Sequence, residues 1–238
     1  MSAFLYGVAL QWRLDIRSKS LLITCYVVPL LFFGLMGGIF TSINPDAKNT
    51  IIQSMTVMGV SMGALIGLPP SLVEIYGSDI KKMYKANGVP LYLGVVSLFL
   101  SAFIHLLIMS GIIYVIAPIA FDAVLPADPL LYFGVTAVFI VVSSGIGSVL
   151  GLLMKSQTKL TMISQIIFLP SIMLSGIMFP VDMLPEFIKY ASKIFPATWG
   201  YELMTKSSFE IRLVIPLAGI FVAAVIICMI RLHKIGSE

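Results

Sequence analysis

The sequence predicts an all-α integral membrane protein: six transmembrane helices, an N-terminal interfacial helix and a re-entrant helical hairpin between spans five and six. Three observations predict it. Of the 238 residues, 59% are apolar and only 11% charged, with mean hydropathy +1.04, well outside the range of a soluble domain. The apolar residues gather in runs of about 20, the length that crosses a hydrocarbon layer of roughly 30 Å. The basic residues fall in short segments between those runs, so the net charge of +4 reads as membrane orientation rather than a nucleic-acid surface.

Along the chain, Phe4, Leu5, Val8, Trp12 and Ile16 recur at spacings of three and four, while Arg13, Asp15 and Arg17 lie elsewhere on the wheel. That pattern suits a helix lying in the membrane surface over residues 1–20. Met1-Ser2-Ala3-Phe4 does not open a cleavable signal pattern, so the first span is expected to insert itself. The spans are predicted at Leu21 to Phe40, Ile51 to Val73, Leu91 to Ile116, Leu130 to Met154, Leu160 to Phe179 and Leu213 to Ile230. Thr41 to Asp46 forms a polar turn after the first, and Pro118, Pro126 and Pro129 mark the loop after the third.

Residues 74–90 are the most charged segment and are predicted to lie outside the membrane. Between spans five and six, Leu184, Phe187, Ile188, Ala191, Ile194 and Phe195 repeat with helical spacing from Met183 onward. Asp182 is the expected N-cap of that helix, Pro196 its stop, and Thr198 the cap of a second short helix reaching Ser208. Over 180–208 these two helices are expected to dip part-way into one leaflet.

Taking the N-terminus as cytoplasmic, the inner segments carry Arg13, Arg17, Lys19, Lys81, Lys82, Lys85, Lys155, Lys159, Arg231 and Lys234. The outer ones carry Lys48, Lys189, Lys193, Lys206 and Arg212, four of them in the last loop. Both termini are therefore expected in the cytoplasm.

None of the six predicted spans contains Asp, Glu, Lys or Arg, so a carrier driven by its own buried coupling ion is disfavoured. His105 is the one titratable side chain deep in a span, either as a hydrogen-bond partner or in a substrate or proton role. Gly34 and Gly38, then Gly59, Gly63 and Gly67, then Ser143, Gly147 and Gly151 form small-residue stripes that let helices approach, within a subunit or between subunits. An intramembrane enzyme would need Ser144 with His105 as its base. Cys25 and Cys228 sit in apolar runs without metal-ligand spacing, and no cluster of His, Cys and carboxylates suggests a metal. The chain has no Gly-rich loop ending in Gly-Lys-Ser or Gly-Lys-Thr and so no P-loop of its own for ATP.

At the end of the fifth span the sequence Leu174-Ser175-Gly176-Ile177-Met178-Phe179-Pro180-Val181-Asp182-Met183-Leu184-Pro185 continues to Phe195-Pro196-Ala197-Thr198-Trp199. Ser175, Gly176, Pro180, Pro185 and Pro196 in this order closely resemble the signature of type-2 ATP-binding-cassette transporter permeases. Glu74, Gly77, Lys81, Lys82, Lys85 and Pro90 look like that family's coupling helix, which docks on the ATPase.

The resemblance covers the whole chain as one permease domain, 1–238. It implies a non-catalytic exporter subunit in a bacterial plasma membrane, paired with a second permease, identical or paralogous. Two ATPase subunits would hold the ATP and Mg²⁺. It further implies an apolar path lined by spans two and five, where Met55, Met58, Met62, Met173 and Met178 are candidates, with His105 beside them; the alternative is that these Met fill packing gaps. Hydrophobic or amphipathic substrates such as drugs, antibiotic peptides or lipids are expected, with sodium or a polysaccharide as other candidates. A membrane assembly or sensor component without transport is the alternative on the same fold.

Overall fold

The computed structural model describes residues 11–14, 16, 19–178, 184–206 and 210–237, with only the backbone at 19 and 20. The described residues are helical and contain no strand. The helices are α1 (Ile23–Ile43), α2 (Ile51–Gly77), α3 (Ile80–Ala86), α4 (Tyr92–Phe121), α5 (Pro129–Leu153), α6 (Gln157–Leu174), α7 (Glu186–Ser192), α8 (Pro196–Thr205) and α9 (Ile211–Ser237). Residues 11–14 and 16 are helical too; the rest of the predicted interfacial helix lies outside the described residues.

Five of these, α1, α2, α4, α5 and α9, are long and apolar enough to cross a membrane. The predicted fifth span is the exception. α6 has 18 residues, about 27 Å of helix, and stops at Leu174 instead of Phe179. Gly176, at φ +89°, takes a left-handed conformation that L side chains avoid, and so ends the helix one turn early. Gln157, Lys159 and Gln165 also dilute its apolar character.

α2 is the axis of the bundle. Its membrane-length window is 89% buried, against 22% for α1 and 17% for α9. Lipid supplies no hydrophobic drive between helices, so close packing must hold them, and glycine makes it possible. A Cβ on Gly63 would lie 2.2 Å from Leu106, one on Gly59 2.7 Å from Met109, and one on Gly151 2.6 Å from Leu72. In α1 the close approach falls at Gly37, 2.5 Å from Phe121, whereas Gly34 faces open space; the predicted Gly34/Gly38 stripe is off by one position. Gly59, Gly63, Gly147 and Gly151 all pack inside one subunit.

Both α1 and α2 contain a π-turn, Ile23–Val27 in one and Gly63–Gly67 in the other. Each ends two residues before a proline, Pro29 in α1 and the pair Pro69-Pro70 in α2. A proline ring clashes with the carbonyl four residues back, and a widened turn relieves the clash. The two π-turns touch: Cys25 Sγ lies 3.1 Å from where a Cβ on Gly67 would sit.

Candidate functional site

The charged loop of residues 74–90 is built by three local devices. α2 ends at Gly77, where the Ser78 hydroxyl donates to Glu74 O and accepts from Ile80 N at 3.2 Å, turning the chain into α3. α3 ends at Asn87-Gly88, with Gly88 at φ +66°, so the basic helix stops before Pro90 instead of reaching it. The third device is Tyr76, whose hydroxyl donates to Leu91 O and accepts from Val95 N at 3.1 Å. The hydroxyl thus sits against the first hydrogen-bonded turn of α4, and Gly94 leaves room for it. Tyr76 thereby ties the end of α2 to the start of α4. A Tyr at the start of the charged segment, two residues after Glu74, carries no signal that its hydroxyl has this task.

Glu74, Gly77, Lys82, Lys85 and Pro90 are exposed and Lys81 is half-buried. Met83, 63% exposed among these cations, gives the loop an apolar knob, which charge counting passes over. Lys82 Nζ lies 2.7 Å from Asp79, and this hydrogen bond lowers the Asp79 pKa and raises that of Lys82. The depressed carboxylate contributes above its unfolded value, about 3.9, and its contribution is lost as pH falls through the lower folded value. The raised ammonium contributes fully below its unfolded value, about 10.4, and loses that contribution as pH rises through the higher folded value. The pair should therefore be intact from about pH 5 to 10; carboxyl carbon NMR of Asp79 should show no titration in that window.

The same end of the bundle gathers the other basic segments. A Cβ on Gly77 would lie 3.7 Å from Lys155 O, Arg231 donates to Leu152 O at 3.4 Å, and Gly236 lies beside Leu91. At the opposite end Lys48 pairs with Asp122 at 3.4 Å and Val124 N donates to Lys48 O.

Of the signature residues, Ser175 is buried, its hydroxyl donating to Ile172 O at 2.9 Å, and Gly176 supplies the left-handed turn. Pro180 and the predicted cap Asp182 lie outside the described residues. Pro185, at φ −55° and ψ 148°, immediately precedes α7 instead of sitting in its first turn. Pro196 opens α8, because its fixed φ suits the first helical position; α7 ends earlier, at Ser192. Thr198 does not cap α8: its hydroxyl donates to Ser192 O at 2.7 Å, fastening the two short helices together. A Cβ on Gly200 of α8 would lie 2.5 Å from Phe139, a residue about 15 Å along α5 from its start.

Met55, Met58 and Met62 are buried in the core and fill space inside the subunit. Met173 is 49% exposed, and Met178 lines a cleft of about 400 Å³ with Phe40, Ser54 and Tyr201. His105 is buried; Nδ1 is 2.7 Å from the Tyr26 hydroxyl and the ring stacks on Trp12 at 4.2 Å. The Ser143 and Ser144 hydroxyls have no partner among the described residues, so neither is paired with a base. No metal-binding group occurs among the described residues.

The outward face of α6 carries Thr161, Met162, Gln165, Ile166, Leu169 and Met173, all exposed. Gln165 stands near the midpoint of the helix, where a primary amide facing hydrocarbon would be costly.

A family model described as ABC-2 type transporter matches residues 3–209. A search of the curated proteins gave no match. The match covers the inner loop, α6 and the proline-spaced hairpin together, and the chain belongs to the ABC-2 type transporter family of membrane permeases.

Proposed function

We propose that the chain is the transmembrane subunit of an ATP-driven exporter with six spans, α6 being the shorter fifth, and with both termini in the cytoplasm. Two such subunits pair along the α6 faces and enclose a path for a hydrophobic or amphipathic substrate, and ATP with Mg²⁺ is bound and hydrolysed on two partner ATPase subunits docked on α3. The observation that carries this reading is the exposed Gln165 in the middle of a membrane-length helix, which calls for a neighbour other than lipid. The gathering of cations at the α3 end supports a cytoplasmic placement of that end, and the reach of α8 to Phe139 supports a hairpin entering the outer leaflet.

The test is disulfide trapping in a variant free of Cys25 and Cys228. Cysteines placed at Met162, Ile166 or Leu169 should cross-link two copies, whereas one at Ile215, exposed on α9, should not. Equal or absent cross-linking at all four would remove the pairing. In vesicles holding the chain and its ATPase, ATP should drive uptake of a lipophilic dye into inside-out vesicles. Cross-linking without transport would favour the assembly-component alternative.

A further inference from the structure

The prolines inside the long helices are not accommodated alike. Those of α1 and α2 follow π-turns, which widen the helix around the ring. Pro170 stands in the second half of α6, which runs from Gln157 to Leu174 without such a turn. Having no N–H, it leaves Ile166 O without its donor four residues on. The hydroxyls of this segment that turn back to main chain, Thr161 and Ser175, donate to Gln157 O and Ile172 O instead. A proline at membrane depth is tolerated where a neighbour, a side chain or water takes over the freed group, so the surroundings of Ile166 decide what does so here.

Pro170 and Ile166 line a notch of about 460 Å³ together with Met162, Gln165 and Leu169. All of these except Pro170 are exposed, so the notch opens on the outward face of α6. It holds no charged side chain. Its polar groups are neutral: a backbone acceptor lacking its helical donor and, one residue away, the Gln165 carboxamide. Gln165 is badly placed to supply the donor itself, because helical side chains lean toward the N-terminus while the carbonyls point to the C-terminus. Hydrocarbon has no donor to give. What fits is an uncharged donor brought from outside the subunit, and the volume falls within the roughly 300–1,000 Å³ of drug-sized sites. Carbonyls freed near the bilayer midplane serve as ligand-binding groups in other transporters.

We infer that this notch is the substrate's hydrogen-bonding site in mid-membrane and that it favours molecules with an uncharged amide, whose N–H meets Ile166 O and whose carbonyl meets the Gln165 side chain. The inference rests on the proposed path along α6 and adds what that path selects, amides over the corresponding esters.

The test is photolabelling of the chain, reconstituted with its ATPase in nanodiscs, by two diazirine probes of equal length. One is joined through a secondary amide and the other through an ester, which differs in lacking the N–H. The amide probe should label residues 162–173 saturably and about fivefold more strongly than the ester, the effect of one net hydrogen bond. Pro170→Ala returns a helical donor to Ile166 O; the variant should fold at least as well as the parent, and the advantage of the amide should vanish. Gln165→Leu should lower labelling by both probes, since each has a carbonyl. Equal labelling by the two probes, an amide advantage that survives Pro170→Ala, or labelling unchanged in Gln165→Leu would overturn the inference and leave the freed carbonyl to water or to the second copy. Cross-linking at Met162, Ile166 and Leu169 reports the pairing separately. Cross-links without an amide advantage remove this inference alone, and an amide advantage without cross-links removes the pairing alone.

Discussion

Gly147→Ala is expected to leave little folded protein. The added Cβ would stand 2.0 Å from Ala64 O, and that neighbour is backbone, which cannot rotate aside. Ala64 O is unusually placed: its normal helical donor, Leu68 N, is taken by Gly63 O in the π-turn, and Pro69 has no N–H to offer. The freed carbonyl projects toward α5, where glycine offers a Cα hydrogen in the manner of close helix crossings. Overpacking ordinarily costs about 1–3 kcal/mol; an obstacle of main chain puts this case at the top of that range or above. Gly134→Ala in the same helix is the control, since nothing lies within 4 Å of it, and alanine there should be neutral or slightly stabilising. Thermal unfolding in detergent compares them, and equal midpoints would disprove the contact.

The second large effect is expected at Tyr76→Phe. The ring still fills its place, but the hydroxyl's two hydrogen bonds to the first turn of α4, at Leu91 O and Val95 N, are lost, at about 0.5–1.5 kcal/mol each. The loss falls on the joint between α2 and α4, on either side of α3. On the proposed function, ATP hydrolysis by the assembled complex should persist while transport falls several-fold, because the push on α3 is no longer delivered to α4. Transport and hydrolysis falling together, or neither changing, would show that the joint is not part of the transmission.

Hydropathy made the long helices legible, since α1, α2, α4, α5 and α9 are apolar over a membrane length. At α6 it placed a helix but missed its end, which depends on one left-handed glycine. The loop of residues 74–90 was legible from charge, but its anchor was not, because nothing in the sequence marks Tyr76 until its hydroxyl is seen against the first turn of α4. Met55, Met58 and Met62 show an ambiguity of another kind. Methionine suits both an adaptable path and a packing gap, and only burial separates the two. For the hairpin, proline spacing marked the helix ends but not which side of each proline the helix occupies.

The paired π-turns have a consequence for how α1 and α2 keep step. A π-turn holds one residue more than an α-turn, so everything beyond it is shifted by one helical position, about 100° around the axis. α1 and α2 make that shift beside each other, at Cys25 and Gly67, so their faces slip together and remain matched on both sides of it. Shortening one helix by a residue would rotate half of it out of phase with its neighbour, while shortening both would restore the match. Chain length is thus a shared property of the two helices, tuned between them like the threads of a bolt and its nut.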